Sequence, residues 1–282
     1  MTIKSLNIKG QLWTLDKPFV AGILNVTPDS FYEGSRMQTG AAIRQRIETI
    51  LAEGGRMIDV GGYSSRPDAA DVSAAEEKQR LMPALKLLKT HYPDAAVSVD
   101  TFRAEVAQWA VEEYGVAVVN DISGGTLDPL MFETVARLQT PYVLMHMRGT
   151  PQTMRQMTDY TDLMEEIMLY FAEKLRALRL LGVNDVILDP GFGFAKTLEQ
   201  NYELMRHLPE FAAFETPLLV GVSRKRMISG LLDATAGESL NGTTVLHTFA
   251  LLNGADILRV HDVKAAVEAV KITEKLKIEQ IC

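Results

Sequence analysis

Residues 96–123 read AVSVDTFRAEVAQWAVEEYGVAVVNDIS, and this stretch decides the fold. It contains a short apolar run, an amphipathic segment with helical spacing that ends at Gly115, and a second apolar run. Near-continuous apolar runs are typical of parallel strands that are buried on both faces. The stretch therefore predicts a strand, a helix and a second strand parallel to the first, because parallel neighbours need a crossover of helical length.

The same unit recurs along the whole chain. Eight apolar runs alternate with amphipathic segments: FVAGILNV (19–26), MIDVGG (57–62), AVSVDT (96–101), VAVVNDIS (116–123), YVLMHM (142–147), DVILDPG (185–191), LLVGVSRK (218–225) and DILRVHD (256–262). Strict alternation predicts right-handed crossovers and one parallel sheet. No G-x-G-x-x-G motif follows the first run, so an open dinucleotide-binding sheet has no support. We expect an α/β protein with one (β/α)8 TIM barrel domain over residues 1–282.

The first fifteen residues, MTIKSLNIKGQLWTL, predict a short β-hairpin. Lys9 and Gly10 would form its turn, because glycine adopts the backbone conformations that tight turns require. We expect this hairpin to cover the bottom of the barrel. The segment lacks the apolar stretch and the cleavage site of a secretory signal, and no stretch of the chain is long and apolar enough to span a bilayer.

Composition and charge limit the possible partners. The chain carries a net charge of -7, which argues against a general nucleic-acid or membrane-surface partner. Its one cysteine, Cys282, allows no disulfide within the chain, as suits a reducing cytosol. We therefore expect a cytoplasmic protein that acts on small molecules.

Each of the eight runs ends in residues that can carry polar chemistry. These residues are Asn25, Asp59, Asp100, Asn120 with Asp121, His146, Asp189, Arg224 with Lys225, and Arg259 with His261. In a closed barrel these ends meet on one face, where (β/α)8 enzymes keep their active sites. Two loops of that face, residues 27–40 and 63–73, are long and rich in Gly, Pro, Ser and Asp. They are either mobile lids or solvent-exposed insertions.

Two carboxylates and an amide among these ends suit a flat heterocycle. Asp100, Asn120 and Asp189 each extend from an apolar run, so each should be half-buried and in need of a partner. A carboxylate can accept two parallel N–H bonds from an amino-pyrimidinone edge, and an amide both donates and accepts. Lys225 could neutralise Asp189 or donate to the ring. The alternative is structural, with each acid paired to a lysine of the barrel.

A second group of residues indicates an anion. Arg66, Arg259 and His261 bring positive charge to one rim of an acidic protein, which points to phosphate or diphosphate. If Arg259 holds only a leaving diphosphate, Arg259→Lys should lower turnover and leave affinity for the heterocycle nearly unchanged. Asn25 could supply a neutral oxygen to Mg2+ that bridges the diphosphate, or it could be only a turn residue.

Five further residues have less certain roles. Arg226 falls at a predicted helix N-terminus, where a carboxylate could bind, although Arg224 and Arg226 could be only solvated surface charges. Phe194 should project from the Gly-rich loop DPGFGFAK, where an exposed ring could wall a pocket. His146 could be a general base, but we favour a structural role for a lone barrel histidine. Asp59 is equally ambiguous.

Together these residues resemble the dihydropteroate synthase family of the folate pathway. The motifs that carry the resemblance are, in family order, GILNVTPDSF, GGYSSRPDA, VSVDT, VNDISGG, LMHMRGTP, DPGFGFAK, VSRKRMI and RVHDV. The resemblance implies a homodimeric (β/α)8 barrel that condenses 7,8-dihydropterin-6-ylmethyl diphosphate with 4-aminobenzoate. The products would be 7,8-dihydropteroate and diphosphate, and sulfonamides would mimic aminobenzoate.

The resemblance also implies a role for each site residue. Pterin would bind Asp100, Asn120, Asp189 and Lys225; diphosphate would bind Asn25, Arg66, Arg259 and His261, with Mg2+ at Asn25; aminobenzoate would bind Ser65, Pro67, Phe194, Lys225 and Arg226. The mechanism attributed to the family is dissociative: diphosphate leaves, a pterin methylene cation forms, and the arylamine attacks. The expected catalytic residues are Asp100, Asp189, Lys225 and Arg259. The two acids would stabilise the cation, and Mg2+ with the arginines would stabilise the leaving group.

The chain departs from the usual family motifs in the first loop, which reads PDSFYEGSR where the family usually has PDSFSDGG, and at four other positions. Tyr63 stands in place of an acid, Ser65 in place of a threonine, and Asp68 and Ala195 in place of glycines. The hydroxyl group is kept at Ser65, so we expect the diphosphate and aminobenzoate contacts to be kept.

Two alternative functions stay open. A pterin-dependent methyltransferase-like domain would share the barrel and the pterin slot, but it would lack the TPDSF and SRP motifs that this chain has. A non-catalytic pterin-binding paralogue is the second alternative. The intact residues Asn25, Arg66, Lys225, Arg259 and His261 argue against it.

Overall fold

The fold is taken from a computed structural model, which describes residues 4–27, 36–64 and 72–276. Two short strands come first, β1 (Ser5–Ile8) and β2 (Gln11–Thr14), and they pair antiparallel. Lys9 and Gly10 form the turn between them, both with positive φ. The predicted hairpin is thus confirmed.

Eight parallel strands form the barrel that the sequence predicts. They are β3 (Phe19–Asn25), β4 (Met57–Gly61), β5 (Ala96–Asp100), β6 (Val118–Asp121), β7 (Tyr142–Met145), β8 (Val186–Asp189), β9 (Leu219–Val220) and β10 (Ile257–Val260). Their order in the sheet is β8-β7-β6-β5-β4-β3-β10-β9. A parallel bridge between Leu188 and Leu218 brings the two edges of the sheet together. The sheet is therefore a nearly closed barrel.

Helices follow the strands and form the outer layer. They are α1 (Arg36–Ala52), α2 (Ala74–His91), α3 (Ala104–Tyr114), α4 (Met131–Leu138), α5 (Leu163–Leu180), α6 (Leu198–Arg206), α7 (Arg226–Leu232), α8 (Leu240–Leu252) and α9 (Val263–Leu276). Local sequence explains where several helices begin and end. The side chains of Ser73 and Asp162 cap the N-termini of α2 and α5, and Gly115 ends α3 in a left-handed conformation. Within the described ranges no helix has the length and apolarity to cross a membrane.

Packing closes one end of the barrel and leaves polar groups at the other. Leu6 and Ile8 of the hairpin are buried with Phe19 and Met57 near the amino ends of the strands. On the outside, α1 packs closely on β3, because a Cβ atom at Gly22 would lie 2.6 Å from Cγ2 of Ile50. With the amino end covered by apolar side chains, the chemistry is concentrated at the carboxyl ends of the strands.

Candidate active site

Asp59 of β4 is the centre of a hydrogen-bonded network inside the barrel mouth. Its carboxylate accepts from Ser98 Oγ at 2.6 Å and from Arg259 Nε at 2.6 Å. Asn120 Nδ2 lies 3.3 Å from both carboxylate oxygens. Strand register explains this meeting, because Asp59 pairs with Ser98 across β4 and β5. Asp59 is only 2% exposed, so its charge needs these partners.

Arg259 joins Asp59 to the predicted pterin residue Asp100. Its Nη2 donates to Asp100 Oδ2 at 2.6 Å, while Nε serves Asp59, so one guanidinium bridges two acids. Burial opposes the charge of Arg259, but the two carboxylates outweigh it and raise the pKa of the guanidinium. Burial raises the pKa of Asp100 to about 7, Arg259 opposes this rise, and Asp59 adds to it. The residue predicted to clamp diphosphate therefore also bridges Asp59 and the predicted pterin residue Asp100.

Asp189 and Lys225 form the other side of the mouth. Asp189 Oδ1 accepts from the Gly191 backbone N–H at 2.8 Å, and burial raises the pKa of this carboxyl against the charge of Lys225. Lys225 donates from Nζ to the carbonyl oxygen of Phe192 at 2.5 Å. Burial lowers the pKa of Lys225 to about 8, with Asp189 opposing the shift. The two residues thus influence each other electrostatically, as predicted.

Phe194 does not project from its loop as an exposed ring, so that expectation is wrong. It is 9% exposed and packs in a buried cluster with Ile122, Met145 and Met147. The cause is the left-handed backbone at Gly191, Gly193 and Ala195, which folds the segment back onto the barrel. The ring centroid still lies 4.8 Å from Nζ of Lys225, beside the mouth.

His146 is buried and paired with a lysine that the sequence analysis did not single out. Its Nδ1 lies 3.0 Å from Nζ of Lys196, and its ring packs edge-on against Tyr170. Burial and the charge of Lys196 hold the pKa of His146 well below its usual value. Lys196 ends the DPGFGFAK motif. A lysine directly after the apolar, Gly-rich residues 190–195 is the sequence feature that could have identified it.

The remaining rim residues lie near the mouth but outside the buried network. Asn25 is exposed at the end of β3, and a Cβ atom at Gly61 would lie 3.3 Å from its Oδ1 and 3.7 Å from Asp100 Oδ2. His261 Nδ1 lies 3.2 Å from Ser223 Oγ, and partial burial and the charge of Arg259 lower its pKa to about 4. Ser65, Arg66, Pro67 and Asp68 lie outside the described residues.

The two arginines beside Lys225 differ in their surroundings. Arg226 is exposed and is the first residue of α7, where a helix N-terminus was predicted. Arg224 is not a solvated surface charge, so that alternative is wrong for this residue. Its Nε and Nη2 donate to Asp262 at 2.8 and 2.9 Å, and its Nη1 donates to the carbonyls of Ala236 and Gly237.

Tyr63, which stands where the family motif has an acid, contacts the loop after β7. Its hydroxyl oxygen accepts from Gln152 Nε2 at 3.0 Å, and its ring packs edge-on against Phe102. A cavity of about 300 Å³ lies beside it, lined by Tyr63, Phe102, Arg103, Leu127, Thr150, Pro151 and Gln152. The tyrosine therefore links two loops of the catalytic face.

The oxygen atoms at the mouth suit a metal ion that is coordinated mainly by water and substrate phosphates. Within the described part of the chain, no three His, Cys, Asp or Glu residues are grouped as a metal site. Asn25 offers a neutral amide oxygen at the exposed rim. Mg2+ retains several waters and is commonly bound by few protein oxygens together with substrate phosphates, so Asn25 fits it.

Comparison with known proteins places this geometry in a family. Residues 21–261 match the pterin binding enzyme family. The dihydropteroate synthase of Synechocystis is 43% identical over 263 residues, covering 92% of this chain and 90% of that protein. Two solved structures of dihydropteroate synthases are similar over nearly the full chain. The Xanthomonas albilineans structure with 4-aminobenzoic acid has a TM-score of 0.89 and 35% identity, covering 98% of this chain and 99% of that one. The Yersinia pestis structure with a sulfonamide drug complex has a TM-score of 0.87 and 39% identity, covering 97% and 99%.

Proposed function

The chain belongs to the dihydropteroate synthases, transferases within the pterin binding enzyme family, and from this premise we propose how its residues share the work. The reaction condenses 7,8-dihydropterin-6-ylmethyl diphosphate with 4-aminobenzoate to give 7,8-dihydropteroate and diphosphate. The observation that carries the assignment is the group of two acids, an amide and two cations at one mouth. This group comprises Asp100, Asn120, Asp189, Lys225 and Arg259.

Pterin recognition is assigned to the acids and the amide. The amino-pyrimidinone edge presents several N–H donors, and Asp100, Asp189 and Asn120 supply acceptors at the carboxyl ends of β5, β8 and β6. Hydrogen bonds donated to a carboxylate stabilise its ionised form. Bound pterin should therefore lower the pKa of Asp100 from about 7. The ionised acids then stabilise the pterin methylene cation.

Diphosphate departure is assigned to Arg259, Arg66, His261 and Asn25. Nη1 of Arg259 has no hydrogen-bond partner among the described residues, so it is available to an oxyanion while Nε and Nη2 hold the acids. Burial and the charge of Arg259 lower the pKa of His261 to about 4 in the ligand-free site, and a bound diphosphate would raise it, because a nearby anion favours the imidazolium form. Mg2+ at Asn25 would neutralise charge on the leaving group when bound.

Aminobenzoate binding is assigned to residues that follow β8 and β9. Phe194 and Lys225 are in contact, and Arg226 follows at the start of α7. An aromatic ring, an ammonium and an exposed guanidinium suit an aromatic carboxylate. Ser65 and Pro67 would complete this site from the loop after β4. The relatives described with 4-aminobenzoic acid and with a sulfonamide drug support this assignment.

We further propose that the protein acts as a homodimer through α7, α8 and α9. Large apolar side chains are exposed on these helices: Leu231, Leu232, Val245, Phe249, Leu252, Ile272 and Leu276. An apolar patch of this kind commonly marks a protein interface. Sedimentation should show a dimer for the wild type and a shift toward monomer for Val245→Glu, a residue that is 60% exposed. An unchanged dimer in that variant would place the interface elsewhere.

The decisive experiment measures diphosphate release. Release should require the pterin diphosphate, aminobenzoate and Mg2+ together, and a chelator should abolish it. A non-catalytic paralogue would bind pterin without release. A methyltransferase-like domain would bind pterin and ignore aminobenzoate. Either result would reject the proposal, while stoichiometric formation of 7,8-dihydropteroate would establish it.

A further inference from the structure

The turn formed by residues 190–195 is held by two lysines from two sides. Lys225 Nζ donates to the carbonyl of Phe192 at 2.5 Å. Lys196 Nζ donates to the carbonyls of Gly191 at 3.0 Å and Phe194 at 3.1 Å. The proposed mechanism uses Lys225 but assigns no role to Lys196, although Lys196 is only 8% exposed. Burying a charged lysine is costly unless the ammonium group is paired or hydrogen-bonded.

The third contact of Lys196 completes its hydrogen bonding. Its Nζ lies 3.0 Å from Nδ1 of His146, which is buried and has a lowered pKa. A neutral imidazole can accept at Nδ1 while it carries its proton on Nε2. The ammonium group therefore has three acceptors for its three N–H bonds. These three acceptors stabilise the ammonium form of Lys196 and so oppose the lowering of its pKa by burial.

We propose that Lys196 is a positioning residue of the pterin site, which fixes the 190–195 turn and, through Gly191, the orientation of the Asp189 carboxylate. The inference rests on the proposed function, because Asp189 matters only if it binds pterin. A single residue, Gly191, connects the two: its N–H donates to Asp189, and its carbonyl accepts from Lys196. Moving that carbonyl would move the hydrogen bond that orients the carboxylate.

The charge of Lys196 acts on Asp189 together with its other neighbours. Burial raises the pKa of Asp189, and Lys225, the Gly191 N–H, Arg259 and Lys196 oppose that rise. Burial lowers the pKa of Lys196 to about 7, with Asp189 opposing this shift and Lys225 and Arg148 adding to it, so Lys196 is mainly charged below pH 7. Its ammonium group also contacts His146. Removing the Lys196 charge should raise the pKa of Asp189 further. Pterin affinity would then be lost at a higher pH as the solution is acidified.

The test is binding of 6-hydroxymethylpterin, measured by calorimetry from pH 5 to pH 9. Lys196→Gln keeps a donor for the turn and removes the charge, whereas Lys196→Met removes both. We expect pterin binding at pH 7 to weaken by roughly tenfold to a hundredfold in Lys196→Met. In both variants the acid limb of the affinity profile should move to higher pH. Lys86→Gln, at an exposed lysine on α2, is the matched control and should behave as wild type.

The position of the acid limb of the affinity profile distinguishes a positioning role of Lys196 from a merely structural one. A loss of thermal stability with the acid limb unmoved would overturn the proposal, because packing defects do not retitrate Asp189. If the Lys196 variants do not fold, His146→Leu removes one acceptor of the ammonium. It should shift the limb in the same direction by a smaller amount, and an unmoved limb would again reject the proposal. A wild-type protein that binds no pterin would instead reject the proposed function.

Discussion

Replacing Arg259 by lysine tests the centre of the site most directly. In the structure one guanidinium spans two acids, with Nε on Asp59 and Nη2 on Asp100, both at 2.6 Å. A lysine keeps the positive charge but presents a single ammonium without the planar fork. It can serve one carboxylate closely and must leave the other with a weaker partner. The guanidinium therefore holds both acids at once, and a lysine cannot do so.

The size of the effect follows from one lost charge-assisted hydrogen bond. Such a bond contributes about 1.5–3 kcal/mol when the partner is charged. If pterin binding depends on the orientation of Asp100, affinity should fall by roughly tenfold to 150-fold. Arg259 also opposes the raised pKa of Asp100, which is about 7. The acid limb of pterin binding should therefore move above that pH in the variant.

The assay pairs calorimetry on a diphosphate-free pterin with steady-state turnover. The sequence alone predicted lower turnover with pterin affinity nearly unchanged, whereas the observed fork predicts that both fall. Arg137→Lys is a matched control, because Arg137 forms an exposed pair with Glu112 away from the mouth. Normal pterin affinity and an unmoved acid limb in Arg259→Lys would refute this argument. Arg259 would then act on diphosphate only, as the sequence predicted.

Four other predictions follow from single residues or motifs. Ala195 has φ of 48°, so Ala195→Gly should raise the free energy of unfolding by about 1 kcal/mol in urea titrations; no gain would mean that the turn is unstrained. Burial lowers the pKa of His247 from 6.5 to about 4, so its stability contribution is present above pH 6.5 and lost as pH falls to 4. His247→Gln should flatten that loss, which amounts to ~3 kcal/mol, in acid-unfolding curves; an unchanged slope would assign the loss to other groups. Asp189→Ala should abolish pterin binding in calorimetry while the circular dichroism spectrum stays native, and retained affinity would remove Asp189 from the site. Residues 65–67 read Ser-Arg-Pro and combine proposed contacts to both substrates, so calorimetry should show tighter sulfonamide binding with Mg2+ and diphosphate than without; equal affinities would contradict this coupling.

Much of the site could be located from the sequence, because the topology of a barrel brings the carboxyl ends of all its strands to one face. Asp100, Asn120 and Asp189 each end an apolar run, and parallel strands of a closed sheet bring such ends together. Their burial also followed, since each extends from a strand that is covered on both faces. The register that joins Asp59 to Ser98 and Asn120 could not be predicted, because apolar runs do not specify how far neighbouring strands are offset.

Conformation of the connecting segments was equally inaccessible from pattern alone. DPGFGFAK indicated a Gly-rich loop, but it did not reveal that Phe194 turns inward or that Lys196 reaches back to His146. These outcomes depend on left-handed backbone at three positions and on long-range contacts across the barrel mouth. Arg224 was also misjudged as a possible surface charge, because its partner Asp262 lies 38 residues away in the sequence.

The sequence by itself determined the strand-helix alternation, the closed barrel, the hairpin beneath it and the polar strand ends. Hydrophobic periodicity is a local property, and local patterns are sufficient to specify which segments are strands and which face is buried. Only the tertiary structure decided which polar groups are joined by hydrogen bonds or ion pairs. Arg259 bridges two acids, and Lys196 supports the turn beside Asp189, because side chains distant in the chain meet in a buried space where each unpaired charge would be costly.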